Sequence, residues 1–109
     1  MICQRSFDLQ RHSMAKSIHS EQYVGVLLAL LRAARTKSGL TQEELAAALK
    51  VDRTIVTKVE SGVRRLDAVE TFEWIRACGV RYGEFAAELE KQFDALDIRN
   101  AGGKLSDSS

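Results

Sequence analysis

Apolar residues recur at helical spacing through the middle of the chain, and nowhere do they alternate in the manner of a strand. Between Glu21 and Lys37, the residues Val24, Leu27, Leu28, Leu31 and Ala34 share one face. They predict a first helix, closed by Ser38-Gly39, where glycine supplies the left-handed residue a helix end favours. A second helix starts at Thr41 and ends near Leu49, with Leu45, Ala46 and Leu49 inward. Its opening Thr-Gln-Glu-Glu is a capping box, in which Thr41 takes a free amide and Glu44 reaches back. A third helix, capped by Asp52, runs to about Ser61 and stops at Gly62, with Val56 and Val59 as core residues. A fourth opens on Asp67 with Glu70 in the same capping register and ends at Gly79. It buries Val69, Phe72 and either Ile75 or Trp74. A fifth, about Tyr82–Leu96, carries Phe85, Leu89, Phe93 and Leu96 on one stripe.

The pattern fades at both ends. Residues 1–20 mix Ser, His, Gln and Arg without an apolar period and read as a flexible N-terminal arm. Residues 99–109 are rich in Gly and Ser and read as a disordered tail. Residues 21–98 then form one all-α, five-helix domain. The chain has 109 residues, enough for one modest core, and no proline, which a helical chain has most reason to avoid.

Composition removes several function classes. No apolar run is long enough to span a membrane, and the N-terminus, with Arg5 and Arg11, lacks the apolar stretch of a secretion signal. Cys3 and Cys78 make no metal-ligand spacing with His12 or His19, so neither a metal nor a cofactor is expected, and a reduced, cytoplasmic setting is. There is no nucleophile–base pair and no phosphate-cradling glycine loop; an enzyme is not expected. Net charge is only +1, but it is unevenly placed. Residues 32–66 carry eight Lys/Arg against four acids, whereas residues 67–98 carry three against eight. That asymmetry suggests one polyanion-facing surface on an otherwise balanced molecule, but a solvated charge mixture accounts for it equally well on charge alone.

The second and third helices are separated only by Lys50 and Val51 ahead of the capping Asp52. Two helices so short, joined so tightly, must cross steeply, and Ala46, Ala47 and Ala48 permit the close approach. Such a crossing lets the third helix protrude toward a groove about 12 Å wide, the width of the DNA major groove. The residues here resemble the phage repressor/Cro-like (XRE-type) helix-turn-helix domains over about Leu27–Val80. The resemblance rests on Arg35, Gly39-Leu40-Thr41-Gln42, Glu44-Leu45-Ala46, the run Val51–Gly62, and Ile75-Arg76-Ala77-Cys78-Gly79-Val80.

That resemblance implies a lambda-repressor-like fold and roles for individual positions. Arg53, Thr54 and Lys58 match base-reading positions, and Arg or Lys there suits guanine O6 and N7. Ile55 either meets a thymine methyl or packs on the edge of the second helix. Gln42 is similar to a glutamine that contacts phosphate and braces the reading helix, and Thr57 lies toward the second helix or reaches a phosphate. Ser61, Arg64 and Arg65 look like phosphate clamps, with Arg32 and Lys37 as helpers. Arg35 and Glu60 match a structural salt bridge. The implied function is a bacterial transcriptional repressor, a homodimer on a palindromic double-stranded DNA operator, with the stripe Phe85, Leu89, Phe93 and Leu96 as candidate dimer surface. Two alternatives carry the same domain: an antitoxin that also holds a toxin protein, and a protein-interaction module without DNA binding.

Overall fold

A computed structural model describes the backbone of residues 18–108 and the side chains of residues 21–100. Among these, the chain forms α1 (Ile18–Lys37), α2 (Gln42–Leu49), α3 (Arg53–Glu60), α4 (Ala68–Ala77) and α5 (Tyr82–Ser108). All five begin within three residues of the positions the sequence pattern predicts. The last helix is longer than expected: it continues to Ser108, through most of the stretch read as a disordered tail. The apolar period ends at Leu96, but helical hydrogen bonding needs no apolar face once a helix is nucleated. The expected flexible arm lies, up to residue 17, outside the described residues.

Both predicted capping boxes are present. Thr41 accepts from the Glu44 amide while the Glu44 carboxylate accepts from the Thr41 amide, and Asp67 and Glu70 repeat the arrangement. Each satisfies two of the four amides that a helix start leaves unpaired. Asp52 behaves differently. Its backbone is extended, as a cap requires, but its carboxylate makes no capping bond and accepts instead from the Thr54 hydroxyl at 2.6 Å. The turn between α2 and α3 contains no glycine, and Lys50 itself takes the left-handed conformation, with φ 62° and ψ 41°. After α3 the chain reverses at Gly62, with φ +83°, where a Cβ would stand 3.3 Å from Leu28 Cδ1. Any larger residue there would meet both backbone strain and the side of α1.

The core lies where α1 meets α3, α4 and α5 and where α2 packs against α3 and α4. Leu31, Leu45, Val56, Val59, Trp74 and Ile75 are its fully buried centre, and the Trp74 indole donates to the Leu31 carbonyl at 3.1 Å. Each side chain of this kind contributes about 1.5–3 kcal/mol relative to exposure. Both Trp74 and Ile75 are inward, together with Thr71 and Cys78, which fixes the inner face of α4. Two expected core residues are therefore corrected: Val69 and Phe72 lie on the far side of α4, 65% and 41% exposed. Positions 71, 74, 75 and 78 keep one helical face, and 69 and 72 fall outside it.

The α5 stripe is also reassigned. Phe85 and Leu96 are buried within the protomer, Leu89 packs against the core, and Phe93 meets Tyr23 of α1 edge-on with ring centroids 4.9 Å apart. Tyr23 also donates to Asp97, and Asn100 to Gln22. The four residues expected to form a dimer surface thus have contacts within the protomer, where α5 packs against α1 and α4.

Candidate nucleic-acid interface

Helix α3 is short, and its inner side is fixed by both apolar and polar contacts. Val56 and Val59 enter the core, and Glu60, 7% exposed, stands beside them. A carboxylate so placed requires partners for its charge. Arg35 of α1 supplies a two-pronged pair, with Nε 2.6 Å from Oε2 and Nη2 3.0 Å from Oε1, while its Nη1 donates to the Leu40 carbonyl at 2.8 Å. Gln42 Nε2 donates to Glu60 Oε1 at 3.0 Å, and Gln42 Oε1 accepts from the Thr57 hydroxyl at 2.9 Å. One network therefore ties α1, the start of α2 and α3 together. Arg32 stands 3.6 Å from Glu60, its side chain 60% exposed, and adds a further positive charge at the rim.

Burial by itself would push the Glu60 carboxyl up. The hydrogen bonds from Arg35 and Gln42, with the charges of Arg35 and Arg32, outweigh it and hold the group below the usual carboxylate range. Arg35 is correspondingly raised, chiefly by its bond to Glu60. The pair is ionised throughout the physiological range.

The outer side of α3 is open. Arg53, Thr54, Thr57, Lys58 and Ser61 are all exposed. Arg53 flanks a shallow cleft shared with Arg35, Thr41, Gln42 and Glu43. The Thr54 hydroxyl is engaged by Asp52, and Ser61 donates to the Lys58 carbonyl at 3.2 Å. Because no side chain caps α3, its first amides face outward at the same end as Arg53 and Thr54. Free amides and a basic side chain at a helix start suit an anion such as phosphate.

The residues singled out from sequence divide on this geometry. Arg53, Thr54 and Lys58 share the exposed surface. Ile55 does not: it is half-buried against the core in a crevice with Leu49, Val51, Leu66 and Trp74. Of the two readings open for Ile55, its surroundings match packing, since it sits on the flank of α3 that turns toward α4. Gln42 and Thr57 face each other across the α2–α3 junction, so the bracing expected of Gln42 is present. Arg64 is paired with Glu70 at 3.0 Å, both side chains 36% exposed. The Asp67 amide, then Arg64, hold the Glu70 carboxyl below its usual range. Arg65 is exposed on the same loop. Sequence reasoning missed the Gln42–Glu60 link and the Tyr23–Phe93 contact. The first had a signal in the buried carboxylate itself, which one arginine leaves incompletely satisfied.

Among the described residues, no helix is long and apolar enough to cross a membrane, and no three His, Cys, Asp or Glu side chains gather as metal ligands would. No curated protein matches the chain. The family model described as Helix-turn-helix matches residues 31–85, from the second half of α1 into the start of α5. A solved structure, that of an XRE-family like protein from Pseudomonas syringae pv. tomato str. DC3000, is similar at 37% identity and a TM-score of 0.64. The match covers 72% of this chain and 94% of that one. With the short α2, the tight turn at Lys50 and the braced, outward-facing α3 already in place, the chain belongs to the XRE family of helix-turn-helix proteins, which are DNA-binding regulators.

Proposed function

We propose that the protein is a sequence-specific repressor of transcription that reads double-stranded DNA through the major groove with α3. The observation that carries this reading is the division of α3 itself. Its inner side is immobilised by Val56, Val59 and the Arg35–Glu60–Gln42 network, while Arg53, Thr54 and Lys58 stand exposed on the other. A rigidly held helix with exposed cationic side chains is what base-edge contacts demand, since a flexible reader would lose discrimination to conformational entropy. Arg53 and Lys58 are the base-reading cations, and Thr54 reads with them once its hydroxyl turns from Asp52. Gln42, Thr57, Ser61, Arg64 and Arg65 serve phosphate, Gln42 through the amide hydrogen that its bond to Glu60 leaves over and Arg64 by exchanging Glu70 for it. Contacts of that kind, Arg64 and Arg65 above all, set register and salt dependence, not sequence.

One copy of α3 spans only a few base pairs, so two copies act together on a palindromic operator. Occupying that operator blocks transcription, in a bacterial cytoplasm. The exposed cations also favour DNA over a purely protein-binding role, which would not require them. Binding-site selection from random duplex DNA tests the reading. The expected result is a two-fold symmetric consensus whose half-site centres lie about 10 bp apart or a multiple of it. Failure to enrich any sequence would overturn it.

A further inference from the structure

The outer face of α4 is a feature that the reading above leaves unused. Val69 is three and four residues before Phe72 and Glu73, and Arg76 four and three residues after them, so the four form a continuous stripe opposite the buried Thr71, Trp74, Ile75 and Cys78. Val69 and Phe72 are two of the few large apolar side chains that the protein leaves exposed. The Phe72 ring does not hang free. Tyr82 backs it at a centroid distance of 5.4 Å, Tyr82 in turn leans on buried Phe85 at 5.7 Å, and the Arg76 guanidinium lies 5.3 Å over its face. An aromatic side chain fixed before contact loses little entropy on binding, and aromatic and arginine side chains dominate the energetic centres of interfaces.

The relief around Phe72 indicates the partner. Phe72 is a ridge between two grooves of similar size. One, about 500 Å³, lies toward Val80, Arg81 and Gly83; the other, about 540 Å³, lies toward Ala48, Leu49 and Lys50. A ridge beside its own groove is self-complementary under a two-fold axis, where each copy offers the same patch to the other. Charge obeys the same symmetry. Glu73 and Arg76 sit one turn apart on the stripe, so an antiparallel α4 brings the acid of each copy toward the base of the other.

We infer that the outer face of α4 is the homodimerisation surface, with Phe72 of each copy seated in the groove beside Phe72 of the other. This rests on the proposed reading of a two-fold operator for its purpose, but the contact itself does not require DNA. It also puts the dimer on a different helix from the α5 stripe, which the fold uses internally.

Sedimentation velocity of the full chain without DNA, from micromolar to near-millimolar protein, tests it. Wild type is expected to dimerise, and Phe72→Asp to raise the dimer dissociation constant by about 30-fold or more, since the change removes the anchor twice. Val69→Arg, at a site open enough to leave the fold intact, is expected to act in the same direction. It decides the matter if circular dichroism shows Phe72→Asp to be unfolded. Glu73→Arg and Arg76→Glu are each expected to weaken the dimer, and their combination to be tighter than either; a combination no tighter overturns the antiparallel arrangement. A wild type that stays monomeric, or a dimer indifferent to Val69→Arg, overturns the surface. The two readings fail separately: a Phe72-dependent dimer that selects no DNA sequence leaves the surface standing and removes the operator, whereas a monomer selecting a single half-site does the reverse.

Discussion

Helices α2 and α3 have eight residues each and follow one another in the chain, yet they are held by different means. Helix α2 is closed at its start by a complete capping box and buries only small or aliphatic residues, Leu45 and Ala46. Helix α3 has no side-chain cap and is instead gripped from the inside, by Val56 and Val59 in the core and by Glu60 in the Arg35–Gln42 network. The difference separates local from tertiary stabilisation. A capped helix depends on neighbours in sequence, whereas α3 depends on residues 25 and 18 positions away, and its first amides make no hydrogen bond to a capping side chain. A helix meant to present its N-terminal turn to DNA gains from being anchored at the other end.

Removing the grip should have the largest consequence. Arg35→Ala leaves the Glu60 carboxylate buried without its main partner and is expected to cost about 3–5 kcal/mol in chemical denaturation. Against a total of about 5–15 kcal/mol for a domain this size, that is a severe loss. The same network predicts a pH dependence. The folded Glu60 carboxyl lies below its ordinary value, so its stabilisation is present above the usual carboxylate range and is lost as pH falls through the folded value. Glu60→Gln should flatten that acid limb in melts run from neutral to acid pH; an unchanged limb would remove Glu60 as its source.

The exposed side of α3 should respond in binding rather than in stability. Arg53→Ala is expected to cost about 1–3 kcal/mol on a selected operator and less on random duplex, whereas Arg65→Ala should weaken both alike and reduce the salt slope by about one. Equal losses on both DNAs for Arg53→Ala, in salt titrations of affinity, would exclude base reading by that residue.

The caps give the smaller effects and the cleanest contrast. Thr41→Ala should destabilise by about 1 kcal/mol, and Asp52→Ala by roughly half that, since Asp52 offers only its charge to the helix dipole. The latter change should also raise affinity for random duplex, because it frees Thr54 and removes a negative charge beside the first amides of α3. Comparable thermal shifts for the two variants would mean that Asp52 caps after all. Lys50→Gly should stabilise by about 0.5–1 kcal/mol, as glycine takes the left-handed conformation without a Cβ penalty. A destabilised Lys50→Gly would point to contacts of the lysine side chain instead.

Much of this fold is legible in the chain. Amphipathic period, two capping boxes and the glycines at 39, 62 and 79 set the helix boundaries, because caps and left-handed ends are local events fixed by a few neighbouring residues. The inner residues of α1, α2 and α3 follow for the same reason, each helix having one unambiguous apolar face. Helix α4 does not. Val69, Phe72, Trp74 and Ile75 all are large and apolar, and only the packing of Trp74 against Leu31 selects which pair turns inward. The candidate site divides in the same way: Arg53, Thr54 and Lys58 are read from the register of α3, but the register leaves Ile55 on either side, and only α4 beside it favours packing.

The sequence by itself determined that the chain is helical, where its helices begin, and that a short pair of them brackets a tight turn in the manner of the XRE family. Those properties depend on residues a few positions apart, and hydrogen bonding within one turn decides them. The tertiary structure alone decided that the α5 stripe closes onto α1, that Gln42 and Arg35 share one buried carboxylate, and that α4 turns Val69 and Phe72 outward. Each of these is a choice between apolar or polar partners of equal local merit. Only the burial of one face against a distant helix breaks the tie.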